Sequence, residues 1–259
     1  MAATFACGQV DGHCMLADTG GCTTGPVRDG TGILRPGTHV FYEQPTDRYG
    51  HGILGDAIEW GALTYIQQGS PNHGPYAQAT YTLPQDRVFE DVAPRFADLD
   101  GDGSSEVIVV ETQVDLGAQL AIYRFEPRAD ALIKVAATPH IGRTNRWLAP
   151  IGAADLDGDG RVEVAYIDRP HLAKTLRVWR FEDDDLTHVV DLPGLTNHRI
   201  GERDIAGGVR RCNGNLSLIV ADATWSQVMQ VTFDGRTIRG RPVARHTGRQ
   251  SFAQALRCP

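Results

Sequence analysis

The sequence predicts an all-β protein built from repeated antiparallel meanders. Three observations carry this. The segment FADLDGDGSSEVIVV at 96–110 returns as AADLDGDGRVEVAYI at 153–167, 57 residues on from Asp98 to Asp155. Each copy runs on into strand-like segments: Val107–Glu111, Gln119–Phe125 and Leu132–Ala136, then Val164–Asp168, Thr175–Phe181 and Leu186–Leu192. Polar turns separate these runs, as in a meander. Finally, 29 Gly and 14 Pro against 3 Met favour many turns over long helices.

Weaker units flank the clear pair. Residues 49–66 keep the strand pattern with fragments of the acidic loop. Residues 206–222 fit the frame without its carboxylates and lead to strands at Gln227–Thr232 and Thr237–Arg239. The units span about 39–84, 88–137, 140–193 and 198–243. Meanders of this size stack into a small β-propeller of four or five antiparallel blades, which protects the strand edges. The tail 244–259 is expected to add a closing strand or part of a fifth blade. Two regions follow: a Cys- and Gly-rich extension at 1–38 and the repeat domain at 39–259.

Composition narrows the function. The 259 residues are 41% hydrophobic and 22% charged, enough for a packed core. No apolar stretch approaches the ~18 residues of a membrane helix. A net charge of −7 argues against non-specific nucleic-acid binding, which depends on phosphate neutralisation. The segment from Gly235 onward is basic, with Arg236, Arg239, Arg241, Arg245, Arg249 and Arg257 and no acid. It reads as a solvated face or a dock for an acidic partner.

The acidic loops carry the sharpest chemistry. Asp98, Asp100, Asp102 and Glu106 stand at loop positions 1, 3, 5 and 9, and Asp155, Asp157, Asp159 and Glu163 repeat them. Alternate carboxylates in a tight Gly-containing loop converge on one point and repel unless a cation sits among them. Hard oxygen donors select Ca²⁺, and the position-7 carbonyls of Ser104 and Arg161 would complete each shell. The helical EF-hand spacing fails, because position 12 is Val109 or Tyr166. Leu99 and Leu156 are expected to anchor the loops in the core.

DLDGDGSSEV and DLDGDGRVEV resemble the FG-GAP/VCBS repeats of integrin α-subunit propellers and many bacterial extracellular proteins. The resemblance is specific over about 96–125 and 153–181. It implies propeller blades with Ca²⁺ in each acidic loop, on the ten positions just named. The segment 48–204 also resembles an uncharacterised class of bacterial VCBS-repeat proteins, which implies no activity.

The segments entering each blade are polar. His51, Glu90, Arg95, Arg146, His198, Arg199 and Glu202 would form a charged funnel around the propeller axis, suited to an anionic or sugar-like ligand. The alternative is a hydrated, salt-bridged channel that holds the blades together. Asp168-Arg169-Pro170-His171 offers acid/base groups or a plain turn, and His73 and His140 read as surface or packing residues. No G-x-S-x-G, H-E-x-x-H or P-loop is present.

Five cysteines, Cys7, Cys14, Cys22, Cys212 and Cys258, show no C-x-x-C spacing. They are either free thiols or disulfides of a periplasmic or secreted protein, with Cys212–Cys258 tying the tail to the body. The expected function is a calcium-binding extracytoplasmic interaction module for a protein or carbohydrate ligand. The alternatives are an enzyme acting on a polysaccharide or phosphate ester in the channel, and a subunit of an envelope assembly docked through residues 1–38.

Overall fold

The computed structural model describes residues 8–10, 13–15, 37–68 and 76–258. Cys7, Cys22 and His73 lie outside the described residues, as does most of the 1–38 extension. Within that extension β1 (Gly8–Val10) and β2 (His13–Met15) pair as a short antiparallel hairpin.

The rest is β-propeller-like, with four antiparallel blades. Blade one holds β3 (Thr38–Thr46), β4 (Glu59–Gln68) and β5 (Tyr76–Thr82). Blade two holds β6 (Arg87–Phe89), β7 (Arg95–Ala97), β8 (Glu106–Gln113), β9 (Gly117–Glu126) and β10 (Ala131–Ala137). Blade three is β11 (Leu148–Ala154), β12 (Glu163–Asp168), β13 (Thr175–Glu182) and β14 (Asp185–Pro193). Blade four is β15 (Leu195–Thr196), β16 (Gly208–Cys212), β17 (Asn215–Asp222), β18 (Gln227–Phe233) and β19 (Ile238–Arg245).

The first strand of blade two is split: β6 and β7 both pair with β8, around a break at 90–94. Blade four repeats the device, with β15 and β16 both pairing with β17 around 197–207. Blade three keeps one unbroken strand, β11. Blades one and two share one sheet, joined where Trp60 pairs with Phe89.

Blades two and three bury both faces against a neighbouring blade, so their central strands read as apolar runs rather than alternating ones. EVIVVETQ in β8 is buried from Glu106 through Thr112. Tyr42, Leu63, Phe89, Val109 and Tyr123 fill the space between blades one and two. Ile108, Leu120, Trp147, Leu148, Tyr166 and Phe181 lie between blades two and three. Ile151, Ile167, Leu176, Val209, Leu218 and Val231 lie between blades three and four.

The tail is not a strand. It forms α1 (Arg249–Leu256), whose Phe252 packs on Ile219, Ala221 and Val228. The helix therefore covers the face of blade four that a fifth blade would cover. Repeat arrays need such a cap, because the last unit otherwise exposes an apolar face. Cys212 and Cys258 form a disulfide that ties the chain beyond α1 to β16. No helix of the described residues is long and apolar enough to cross a membrane.

Candidate functional sites at the two ends of the blades

The acidic loops join the first strand of a blade to the second. The polar segments 90–94, 143–147 and 197–207 lead into those first strands or interrupt them. The two sets therefore occupy opposite ends of the blades. In blade three the seven residues of β11 separate them by about 23 Å at the ~3.3 Å rise of a strand, whereas in blade two only the three residues of β7 intervene.

The two acidic loops have closely matching backbones. Glu106 Oε2 accepts the Leu99 amide at 2.9 Å, and Glu163 Oε2 accepts the Leu156 amide at 2.9 Å. Asp98 accepts the amides of Gly101 and Gly103 at 2.8 and 3.0 Å, and Asp155 those of Gly158 and Gly160 at 2.7 and 3.0 Å. Gly101, Gly103, Gly158 and Gly160 all have positive φ, which lets the chain curl around the carboxylates. Leu99 and Leu156 are buried beneath the loops.

Each loop brings three carboxylates together: oxygens of Asp98, Asp100 and Glu106 lie within 4.8 Å of one another, as do those of Asp155, Asp157 and Glu163. Asp102 and Asp159 stand outside these triads. Asp102 accepts the Ser104 amide, and Asp159 accepts the Arg161 amide and side chain. Arg161 holds the Asp159 carboxyl down at about 2.

The structure adds a cationic partner that the loop motif does not contain. Glu163 pairs across the sheet with Arg180, whose guanidinium reaches Asp157 at 2.8 Å, Asp159 at 3.3 Å and Glu163 at 2.6 Å. In blade two Arg124 holds the matching place, 3.1 Å from Glu106 and 3.4 Å from Asp100. Burial raises the carboxyl pKa of both Glu106 and Glu163, against their amide and arginine partners. These all-oxygen donor sets fit a hard cation, and the guanidinium of Arg180 is a stand-in cation already among them.

At the other end, Glu90 is fully buried. Its Oε1 lies 2.6 Å from His51 Nδ1, and its Oε2 accepts the Thr112 hydroxyl at 2.7 Å. Trp147 donates its indole N–H to the Glu90 carbonyl at 2.8 Å and meets the His198 ring edge-on at 4.8 Å. His198 Nδ1 lies 3.2 Å from His171 Nε2, and His198 Nε2 lies 2.8 Å from the Glu202 carbonyl. Burial pushes His198 down to about 4 and lowers His171. Glu59 is buried beside this set, and its Oε1 has no hydrogen-bond partner among the described residues. Burial and then Glu90 push its pKa up to about 10.

Among the funnel residues, His51 and Glu90 are thus in contact, and Trp147 connects them to His198. Arg95 is buried and holds Asp91 at 2.7 Å. The Arg146 side chain donates to the Asn145 carbonyl. Arg199 turns away to stack on Trp225, 4.3 Å from the ring centroid, and Glu202 faces Arg249 at 3.4 Å. Asp168 is gripped by Arg169 and Arg177.

Sequence reasoning missed Glu59, Asp91, Arg124 and Arg180. Only the last two left a signal, the matching YRFE and WRFE of β9 and β13.

Residues 98–166 match the family model of FG-GAP-like repeats. That stretch opens at the first acidic loop and contains the second. The chain combines this FG-GAP-like segment with a β-propeller-like fold. Among solved structures it is similar to an exo-beta-1,3-galactanase from Phanerochaete chrysosporium, solved with beta-1,3-galactotriose. The identity is 12% and the TM-score 0.39, over 80% of this chain and 54% of that one. The chain thus spans about half the length of that enzyme chain. No curated protein matches the chain.

Proposed function

We propose that this protein is a calcium-stabilised interaction module that works outside the cytoplasm. Calcium at both acidic loops is supported by one observation above the rest: two loops of the same backbone each converge three carboxylates within 4.8 Å. Asp98, Asp100 and Glu106 would hold one ion, and Asp155, Asp157 and Glu163 the other. Ser104 and Arg161 are expected to add carbonyl oxygens, and Asp102 and Asp159 to take part once their present bonds are exchanged. The ion supplies charge neutralisation and a clamp on the loop. The blade-three acidic loop stands a strand's length from Trp147, which fits a stapling role.

The opposite end supplies the binding face in this reading. Leu172 and Ile200 are exposed there, next to the contacting pair His171 and His198. Loop 197–207 also meets blade one, where the Gly201 amide donates to the Ile53 carbonyl. Exposed apolar side chains beside His171 and His198 suit a protein or carbohydrate ligand. The Cys212–Cys258 disulfide supports a periplasmic or secreted location. Thermal unfolding in EDTA and with Ca²⁺ restored tests the calcium reading. A native-state ligand must raise the melt, and no shift at millimolar Ca²⁺ overturns it.

A second reading, hydrolysis of a polysaccharide or phosphate ester at the histidine set, has one observation in its favour. Glu59 is a buried carboxyl whose Oε1 has no hydrogen-bond partner among the described residues, and burial beside Glu90 raises its pKa as a general acid requires. Turnover lost in Glu59→Gln would support it, and turnover unchanged in Glu59→Gln would remove it.

A further inference from the structure

The two loops share a motif but not an environment. Resting on the calcium reading above, we propose that they are unequal calcium sites. The blade-two loop is the exchangeable site, and the blade-three loop is latched by Arg180 and fills only at higher calcium.

Three observations carry this. Among the described residues, every acidic partner of Arg180 is a carboxylate of the blade-three loop: Asp157, Asp159 and Glu163. An ion entering there must displace a guanidinium with no other acid to receive it among the described residues, and stripping a half-buried charge of its ion pairs is costly. Arg124 has an outlet, because it also pairs with Asp184 at the β13–β14 turn of blade three. It can release Asp100 and Glu106 and remain paired.

The second observation is position 7. Arg161 lies 2.6 Å from Asp159 and 3.5 Å from Glu182, so the blade-three loop carries a second arginine. The blade-two loop has Ser104 there.

The third is access. The Asp100 side chain is 33% exposed, whereas Asp157 is 4% exposed. Asp157 lies under Arg180 and against the blade-four turn, where a Cβ on Gly235 would come 2.9 Å from its Oδ2. The blade-three carboxylates are thus compensated by two arginines, and Asp157 among them is covered. The blade-two loop keeps its charge because Asp184 offsets Arg124.

Ca²⁺ titration by calorimetry on the calcium-stripped full chain tests this, with Asp98→Asn and Asp155→Asn assigning the steps. The tighter step should vanish in Asp98→Asn. The weaker step should vanish in Asp155→Asn and lie at least about tenfold higher in Kd, about 1.4 kcal/mol. Arg180→Gln should narrow the gap severalfold, and Arg124→Gln should not. Arg180→Lys, which keeps the charge without the fork, serves if Arg180→Gln does not fold; it should narrow the gap less. A single step lost in Asp98→Asn also supports the proposal. Equal affinities, or a tighter step lost in Asp155→Asn, overturn it and leave the calcium reading intact. No binding in any variant, with no melt shift, overturns the calcium reading itself.

Discussion

Glu59 and Glu90 stand opposite each other at the seam of blades one and two, one step beyond the Trp60–Phe89 pairing that joins β4 to β6. Both are buried, and Glu90 disfavours ionisation of Glu59. Among the described residues, His51 and Thr112 hydrogen-bond the Glu90 carboxylate, and Glu59 Oε1 has no hydrogen-bond partner. The seam is built for a protonated carboxyl.

That protonation gives stability a sign with pH. Glu59 is raised from an ordinary 4.5 to about 10, so the unfolded chain releases a proton that the fold retains. Its contribution is full below pH 4.5 and is lost as pH rises toward 10, at up to about 1.4 kcal/mol per pH unit. Glu59→Gln should flatten most of this limb, leaving the share from Glu90, which is also raised. Chemical denaturation from pH 5 to 9 checks it. An unchanged slope would show that Glu59 is ionised in the fold.

His198 sets the opposite limb. Its pKa falls to about 4 through burial, so the fold keeps the ring neutral where the unfolded chain would protonate it. The contribution is full above pH 6.5 and is lost as pH falls through 4. Imidazole resonances in a pH titration should show His198 neutral at pH 5.5, and His198→Gln should soften the acid limb.

The disulfide secures the helical cap. Cys212 and Cys258 are separated by 46 residues, so reduction should cost about 3–4 kcal/mol on the chain-entropy account. Melts with and without a phosphine reductant measure this. Phe252→Ala should cost a comparable 3–5 kcal/mol by emptying the contact with Ile219 and Val228. Combined with reduction its effect should be less than additive, because both loosen α1.

Two glycines separate backbone strain from crowding. Gly117 has φ 72°, and a Cβ there would fall 2.3 Å from the Arg143 carbonyl oxygen and 2.9 Å from that of Arg146. Gly117→Ala should cost well over 2 kcal/mol, because the entry to blade three must move. Gly214 has φ 80° with nothing within 4 Å, so Gly214→Ala should cost only the conformational ~1–2 kcal/mol. Paired denaturation curves read the difference.

Much of this layout is legible in the sequence. Strand periodicity, the return of Asp98-Leu99-Asp100 at Asp155-Leu156-Asp157, and the buried anchors Leu99 and Leu156 need only local rules. What eludes them depends on partners distant in the chain. Arg124 and Arg180 become loop partners only through cross-strand register, which composition does not encode. Glu59 is one glutamate at the start of a strand until Phe89 pairs with Trp60. For the tail, propeller logic asked for a strand, whereas Ser251, Phe252, Ala253, Gln254, Ala255 and Leu256 suit a helix by propensity. The local preference prevailed because one apolar face, carried by Phe252, was enough to cover blade four.

The shared sheet of blades one and two has a kinetic consequence. Because β4 pairs with β6 and β6 with β8, opening blade one removes the Trp60–Phe89 pairing that holds β6 of blade two. Residues 38–137 should behave as a single cooperative block, with amide protons that exchange together. Among the described residues, blade three pairs with no other blade's strands and can open separately. In unfolding terms, then, the repeat of the sequence is not the unit of the molecule: the first two blades count as one.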